Sequence, residues 1–320
     1  MNKNEQSSEK DDKSIKLSPE EKRKQRGQEV AAERSKAVTR SVFAGGAVLT
    51  GLAALGGFAL YEVSQAEERE LAALQKQMES ANDTEAVNAA ALYIRKKEGI
   101  TPDPQEQRLW TNFGVIRSGN SNEEMTRRVW DLIGKMSASR IDALKRRAAT
   151  LSPALRNGNV IITCGAAYDK PSTVYGLEDN TFKTQIDFPL EYLTDPLYQQ
   201  SFDQVTLLEH EATHFDRILL NSGKIRQENP GISDVDLFYA MNAKYEDNAA
   251  ERLDDESLAY EAELKAYLRG LAYGVAPSND LGQEEMAAQF ARVKFNEQDP
   301  RWRKYLRDNN LGRRHNQVAA

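Results

Sequence analysis

The chain has 320 residues, with 43 Lys or Arg against 49 Asp or Glu and a formal net charge of −6. That acidic balance argues against a nucleic-acid partner, and the single cysteine, Cys164, excludes an internal disulfide framework. Beyond residue 81 enough chain remains for one enzyme-sized domain with its own core.

Residues 1–40 are dominated by Lys, Glu, Ser, Asp and Gln and hold almost no large apolar side chains. Such a segment cannot bury a core, which predicts a disordered cytoplasmic tail, and its eight acidic residues weaken any basic attraction to lipid. Residues 41–61 are 21 consecutive uncharged residues between Arg40 and Glu62. At helical rise they reach about 32 Å, close to the thickness of a bilayer's hydrocarbon core, so one transmembrane helix in the lipid bilayer is expected here. Residues 21–40 hold seven Lys and Arg, whereas residues 62–80 hold only Arg69 and Lys76. This asymmetry predicts a cytoplasmic N-terminus and an extracytoplasmic C-terminal domain, periplasmic in a bacterium. A cleaved signal peptide competes, with Ser64-Gln65-Ala66 as its small-x-small site, but the 40 residues ahead of the apolar run exceed a usual signal. Ala47/Gly51 and Ala53/Gly57 are spaced to seat a second helix, the one route to a homo-oligomer that the sequence offers.

Residues 62–81 continue at helical spacing as a stalk or linker, and residues 82–320 form the remaining domain. Helices are predicted over 84–97, 123–136 and 139–151, with Thr84 and Ser121 as caps and Gly99 and Gly158 as stops. Two short strands follow, the β-branched run 160–163 and the loosely alternating 181–188 before Pro189. A helix capped by Ser201 comes next, its apolar stripe made by Val205, Leu208, Ala212, Phe215 and Leu219. Further helices are predicted over 245–268, 283–294 and 301–308. The class is α+β, predominantly helical with a small sheet.

The helix after Ser201 carries His210-Glu211-Ala212-Thr213-His214, which holds two of the three histidines in the chain. Side chains at i and i+4 lie one above the other on one helix face, so both imidazoles can reach one cation, and such nitrogen ligands suit Zn2+. Glu211 follows the first of them and can take the proton of a metal-activated water, the role of a general base. The apolar stripe lies roughly 160° from the histidines at 100° per residue, so the helix is expected to pack on its Leu/Phe side and turn the imidazoles to a cleft.

The segment from Leu207 through His210, Glu211 and His214 to Asp216 resembles the active-site helix of zincin metallopeptidases. Arg217 and Leu220 stand where the metzincin branch has Gly and a third His, and His315 lies in a polar tail. The resemblance therefore implies the gluzincin arrangement, in which a glutamate from a later helix completes the site. The run Glu263-Leu264-Lys265-Ala266 resembles the Glu-x-x-Ala signature of that ligand, with Glu256 on the same face seven residues earlier as a supporting group. Glu251 is the rival, because Glu251 and Asp255 match the Glu-x-x-x-Asp pattern of thermolysin-like enzymes, where the Asp orients a ligating His. The family also implies a zincin-like fold with a strand beside the metal pairing with extended substrate, a role assigned here to 181–188. An oxyanion donor is sought among Tyr239, Tyr260, Tyr267 and Arg217. The expectation is thus a membrane-anchored zinc metallopeptidase acting on a peptide or protein, with His210, His214 and Glu263 as ligands and Glu211 as catalytic base. A scaffold with a fortuitous motif and a zinc hydrolase of a non-peptide substrate are the alternatives.

Overall fold

A computed structural model describes residues 65–79, 81–111, 122–163, 171–188, 202–246, 248–275, 281–295, 299–309 and 311. The segment 41–61, the tail before it, Cys164, Ser201 and His315 lie outside these residues. Among the described residues no helix is long and apolar enough to cross a membrane, and this corrects the expectation of a domain preceded by one transmembrane helix and of a single-pass membrane location. The physical reason is composition: even the longest described helix, 26 residues, carries eight charged side chains.

Residues from Arg69 onward form one compact unit. Its first labelled helix, α1 (Asp83–Glu98), is capped by Asn82, whose Oδ1 accepts from the Glu85 N–H at 3.0 Å, rather than by Thr84. It stops at Gly99, where φ is 66°, a left-handed conformation that costs glycine little. Helix α2 (Pro104–Thr111) opens on a proline, with Asp103 accepting from the Gln105 N–H at 2.8 Å. Helices α3 (Asn122–Ala138) and α4 (Asp142–Arg156) follow.

Between α2 and α4 sits a buried carboxylate. Glu106 is 2% exposed, its Oε1 accepts from Trp110 Nε1 at 2.8 Å and from the Ser139 hydroxyl, and its Oε2 accepts from the Arg140 N–H at 2.7 Å. Glu106→Ala removes the shared acceptor of two buried donors and of the partly buried Arg140 N–H, and is expected to cost about 3–5 kcal/mol, measured by denaturant unfolding. A loss below about 1 kcal/mol would show that water replaces the carboxylate.

Three strands form one sheet in the order β1-β3-β2. Strand β1 (Val160–Thr163) runs parallel to β3 (Thr181–Asp187), and β2 (Ser172–Glu178) runs antiparallel to it. Strands β2 and β3 are joined by Asp179 and Asn180, both at positive φ (49° and 59°), the backbone of a two-residue hairpin turn whose twist matches the strands. In this register Thr173, Tyr175, Thr184, Ile186, Val160 and Ile162 share one face. Val160, Ile162 and Ile186 on that face pack into a cluster with Trp110, Leu132, Leu151 and Leu208.

The motif helix is α5 (Asp203–Glu228). Val205, Leu208, Ala212 and Phe215 are buried as expected, but the stripe continues through Ile218 and Ile225, while Leu219 is exposed. At about 100° per residue Leu219 keeps the phase of those four, so what changes is the neighbours: Ile218 and Ile225, roughly 100° round, are buried in a third cluster with Leu237 and Met241. The predicted helix 245–268 is two helices, α6 (Asp234–Glu246) and α7 (Ala249–Ala272), the second capped by Asn248 through the Ala250 and Glu251 N–H groups. Helices α8 (Leu281–Lys294) and α9 (Asp299–Asp308) complete the domain. They join α1 and α7 in a second cluster containing Tyr93, Tyr267, Leu268, Phe290 and Trp302. Residues 69–79 are helical and enter this cluster through Leu74 and Met78, so the folded unit begins thirteen residues before the expected domain start at 82.

Candidate metal centre

Helix α5 lies between the first core on one side and α7 on the other, so the face with the imidazoles is also covered: His210 is 7% and Glu211 3% exposed. On α7, Ala259 and Ala266 are fully buried, and their small size allows two helices to approach closely. The approach brings three carboxylates, Asp255, Glu256 and Glu263, to the two histidines.

Each Nδ1 faces a carboxylate. His210 Nδ1 lies 2.9 Å from Glu263 Oε2, and His214 Nδ1 lies 2.9 Å from Asp255 Oδ2. A carboxylate accepts only, so both Nδ1 atoms carry the proton and donate, which leaves the Nε2 atoms as the lone-pair sites of the neutral rings. Those Nε2 atoms are 3.2 Å apart. Glu256 Oε2 lies 3.7 Å from His210 Nε2 and 3.8 Å from His214 Nε2. Two facing lone pairs and a carboxylate oxygen at this separation repel one another unless a cation or a proton sits among them.

The three atoms fit a metal. Tetrahedral zinc with bonds of about 2.0–2.2 Å spaces its ligand atoms by about 3.3–3.5 Å, near the separations here. Among the described residues, His210, His214 and Glu256 are the group of metal-ligating side chains close enough to hold one ion. Glu263, expected as the third ligand, instead meets the far nitrogen of His210, and Glu256, expected to support it, meets both Nε2 atoms. The physical reason is the axial offset of the helices, since residues seven apart share a face of α7 but differ by about 10 Å in height. Glu251 sits in the first turn of α7, outside the group. Asp255 orients a histidine as its pattern suggested, and its Oδ1 also lies 3.5 Å from Arg217 Nε.

Behind Glu263 is a residue that sequence reading missed. Gln283 of α8 donates from Nε2 to Glu263 Oε1 at 3.0 Å and to the Thr206 hydroxyl at 2.9 Å, tying α8 to both helices of the site. Glu211 has its own partner from the sheet: the Thr173 hydroxyl lies 2.7 Å from Glu211 Oε2 and 2.9 Å from the Glu211 carbonyl oxygen, sharing one proton between them. Of the tyrosines considered, Tyr260 packs its ring edge-to-face on His210 at 4.5 Å, whereas Tyr267 is in the second core and Tyr239 is on the surface of α6.

The electrostatics follow from burial among acids. Burial lowers the His214 pKa, but Glu256, the hydrogen bond to Asp255 and the charge of Asp255 outweigh it and raise the group to about 10. His210 is likewise raised, with burial opposing and Glu263 prevailing. Burial is the largest influence on Glu211 and pushes its carboxyl above the ordinary range, against the two histidines and Thr173. The chain matches no family model, no curated protein and no solved structure, so the zincin fold expected from the motif is not identified.

Proposed function

We propose that the protein is a zinc-dependent peptidase in which His210, His214 and Glu256 hold the metal and Glu211 is the catalytic base. The observation that carries this reading is the pair of Nε2 atoms 3.2 Å apart, each ring turned by a carboxylate on its other nitrogen, with a third carboxylate beside them. Zinc held there lowers the pKa of its water toward about 7 and polarises a carbonyl. Glu211 accepts the proton of the attacking water and returns it to the departing amine, and burial raises its carboxyl above the ordinary range, which favours the proton's return. The Thr173 hydroxyl keeps Glu211 Oε2 in place.

Thr173 also supports a peptide as substrate. It belongs to β2, an outer strand of the sheet, so a row of backbone groups starts beside the base and can pair with an extended chain. The strand first assigned that role, β3, is central and paired on both sides.

The test is metal analysis of the full chain purified without chelator, together with hydrolysis of a peptide library. Stoichiometric zinc, activity abolished by a chelator and activity restored by zinc are expected. A chain that carries no metal under these conditions overturns the reading.

Zinc must displace protons from this site. In the metal-free protein His214 is charged at neutral pH, so uptake releases protons and apparent affinity rises from pH 6 toward about 10. The same raised pKa stabilises the metal-free fold fully below its ordinary value of 6.5, and that contribution disappears as pH rises through about 10. Calorimetric titration with zinc in buffers of different protonation enthalpy reads the proton release directly. An affinity that is flat across this range contradicts the assignment.

A further inference from the structure

We propose that Arg147, on α4 and far from the metal in sequence, is a positioning residue that sets the rotation of α5 about its own axis and thereby the geometry of the imidazoles. The inference rests on the metal-site reading above. Arg147 is almost completely covered, its side chain 10% exposed, and its guanidinium is used on every side. Nε donates to Glu209 Oε2 at 3.1 Å, and the second terminal nitrogen donates to Glu209 Oε1 at 3.4 Å and to the Thr213 hydroxyl at 3.1 Å. The first terminal nitrogen donates to the Ala212 carbonyl at 3.3 Å and to Asp216.

Residues 209, 212, 213 and 216 interleave with 210, 211 and 214. One rigid fork therefore grips two successive turns of α5, while His210 and His214 project about 100° further round from Glu209 and Thr213, and the base about 100° beyond His210. The apolar side of α5 cannot do this alone. Packing of Val205, Leu208, Ala212 and Phe215 fixes depth, but it is non-directional, whereas a planar guanidinium with several acceptors is directional.

The tolerance is narrow. Ligand atoms must lie within about 0.2 Å of ideal bond lengths, and at a radius of about 5–6 Å from a helix axis that displacement corresponds to a rotation of about 2°. A rotation of about 20° moves the same atom by about 2 Å, as far as the metal bond is long. Directional bonds from α4 on one side and from Asp255 and Glu263 of α7 on the other hold α5 between them.

The experiment compares the full chain with Arg147→Lys, Arg147→Met and the double variant Arg147→Met/Glu209→Met, by zinc affinity in chelator competition, by the visible spectrum with cobalt, and by amide exchange of metal-free protein. Arg147→Lys keeps the charge and loses the fork. It is expected to bind zinc about 10–100-fold more weakly, shift the cobalt spectrum and speed exchange across residues 210–216. The double variant removes the carboxylate that Arg147→Met strands in the interior, so it should regain thermal stability without regaining zinc affinity. Wild-type affinity in Arg147→Lys, or recovery of affinity together with stability in the double variant, overturns the proposal by showing that Arg147 only neutralises Glu209. Absence of zinc from the wild-type chain is a different result, which removes the metal-site reading and this inference with it.

Discussion

Glu211→Gln is expected to retain stoichiometric zinc and to lose peptide hydrolysis by about 10²–10⁴-fold in kcat. The amide has nearly the shape of the carboxylate, and its oxygen can still accept from the Thr173 hydroxyl, so neither packing nor that contact is disturbed. What disappears is the ability to take a proton from water. Glu211 is not in the group of side chains close enough to share one ion, and its Oε2 accepts from Thr173 of the sheet. Loss of zinc in this variant would mean that the carboxylate is part of the metal's coordination. Unchanged turnover with zinc retained would mean that another group is the base.

The second large effect separates three of the four glutamates of α7, Glu251, Glu256 and Glu263. Structural zinc sites bind with about 10–16 kcal/mol shared among a few ligands, so removing one anionic ligand costs roughly 3 kcal/mol or more, above a hundredfold in affinity. Glu256→Gln is expected to lose at least this much. Glu263→Gln keeps a hydrogen-bond acceptor at His210 Nδ1 but removes its charge, and should fall by about 10–100-fold. Glu251→Gln should bind zinc like the wild type. Competition with a chromophoric chelator ranks the three, and a larger loss in Glu263→Gln than in Glu256→Gln would return the ligand role to Glu263.

That ranking could not be read from the sequence, for a specific reason. Glu256-Ser257-Leu258-Ala259 and Glu263-Leu264-Lys265-Ala266 match the same short signature two turns apart, with Ala259 and Ala266 equally buried. Choosing between them requires the vertical offset of α5 against α7, which depends on where the chain between α6 and α7 turns, at Asn248. The motif helix itself was legible, because His210, Glu211, His214 and the apolar stripe lie within one continuous period. Thr173 was not. Its strand is interrupted by Gly176 and weakly alternating, and only the Asp179-Asn180 pair after it signals a hairpin. Arg147 was hidden in another way: it follows Lys145 and Arg146, and such a run reads as a solvated face until α5 is laid against it.

The two core clusters divide the candidate metal site between them. The histidines ride on α5, whose buried stripe belongs to the first cluster with the sheet, α3 and α4. Glu256, Asp255 and Glu263 ride on α7, whose Leu264, Tyr267, Leu268 and Ala272 belong mainly to the second, with α1, α8 and α9. A chain with only the first half assembled would own the imidazoles and the base but no anionic ligand and neither orienting carboxylate. On the proposed reading, neither half can hydrolyse a peptide by itself, because ligands and orienting carboxylates come together only where both clusters are packed.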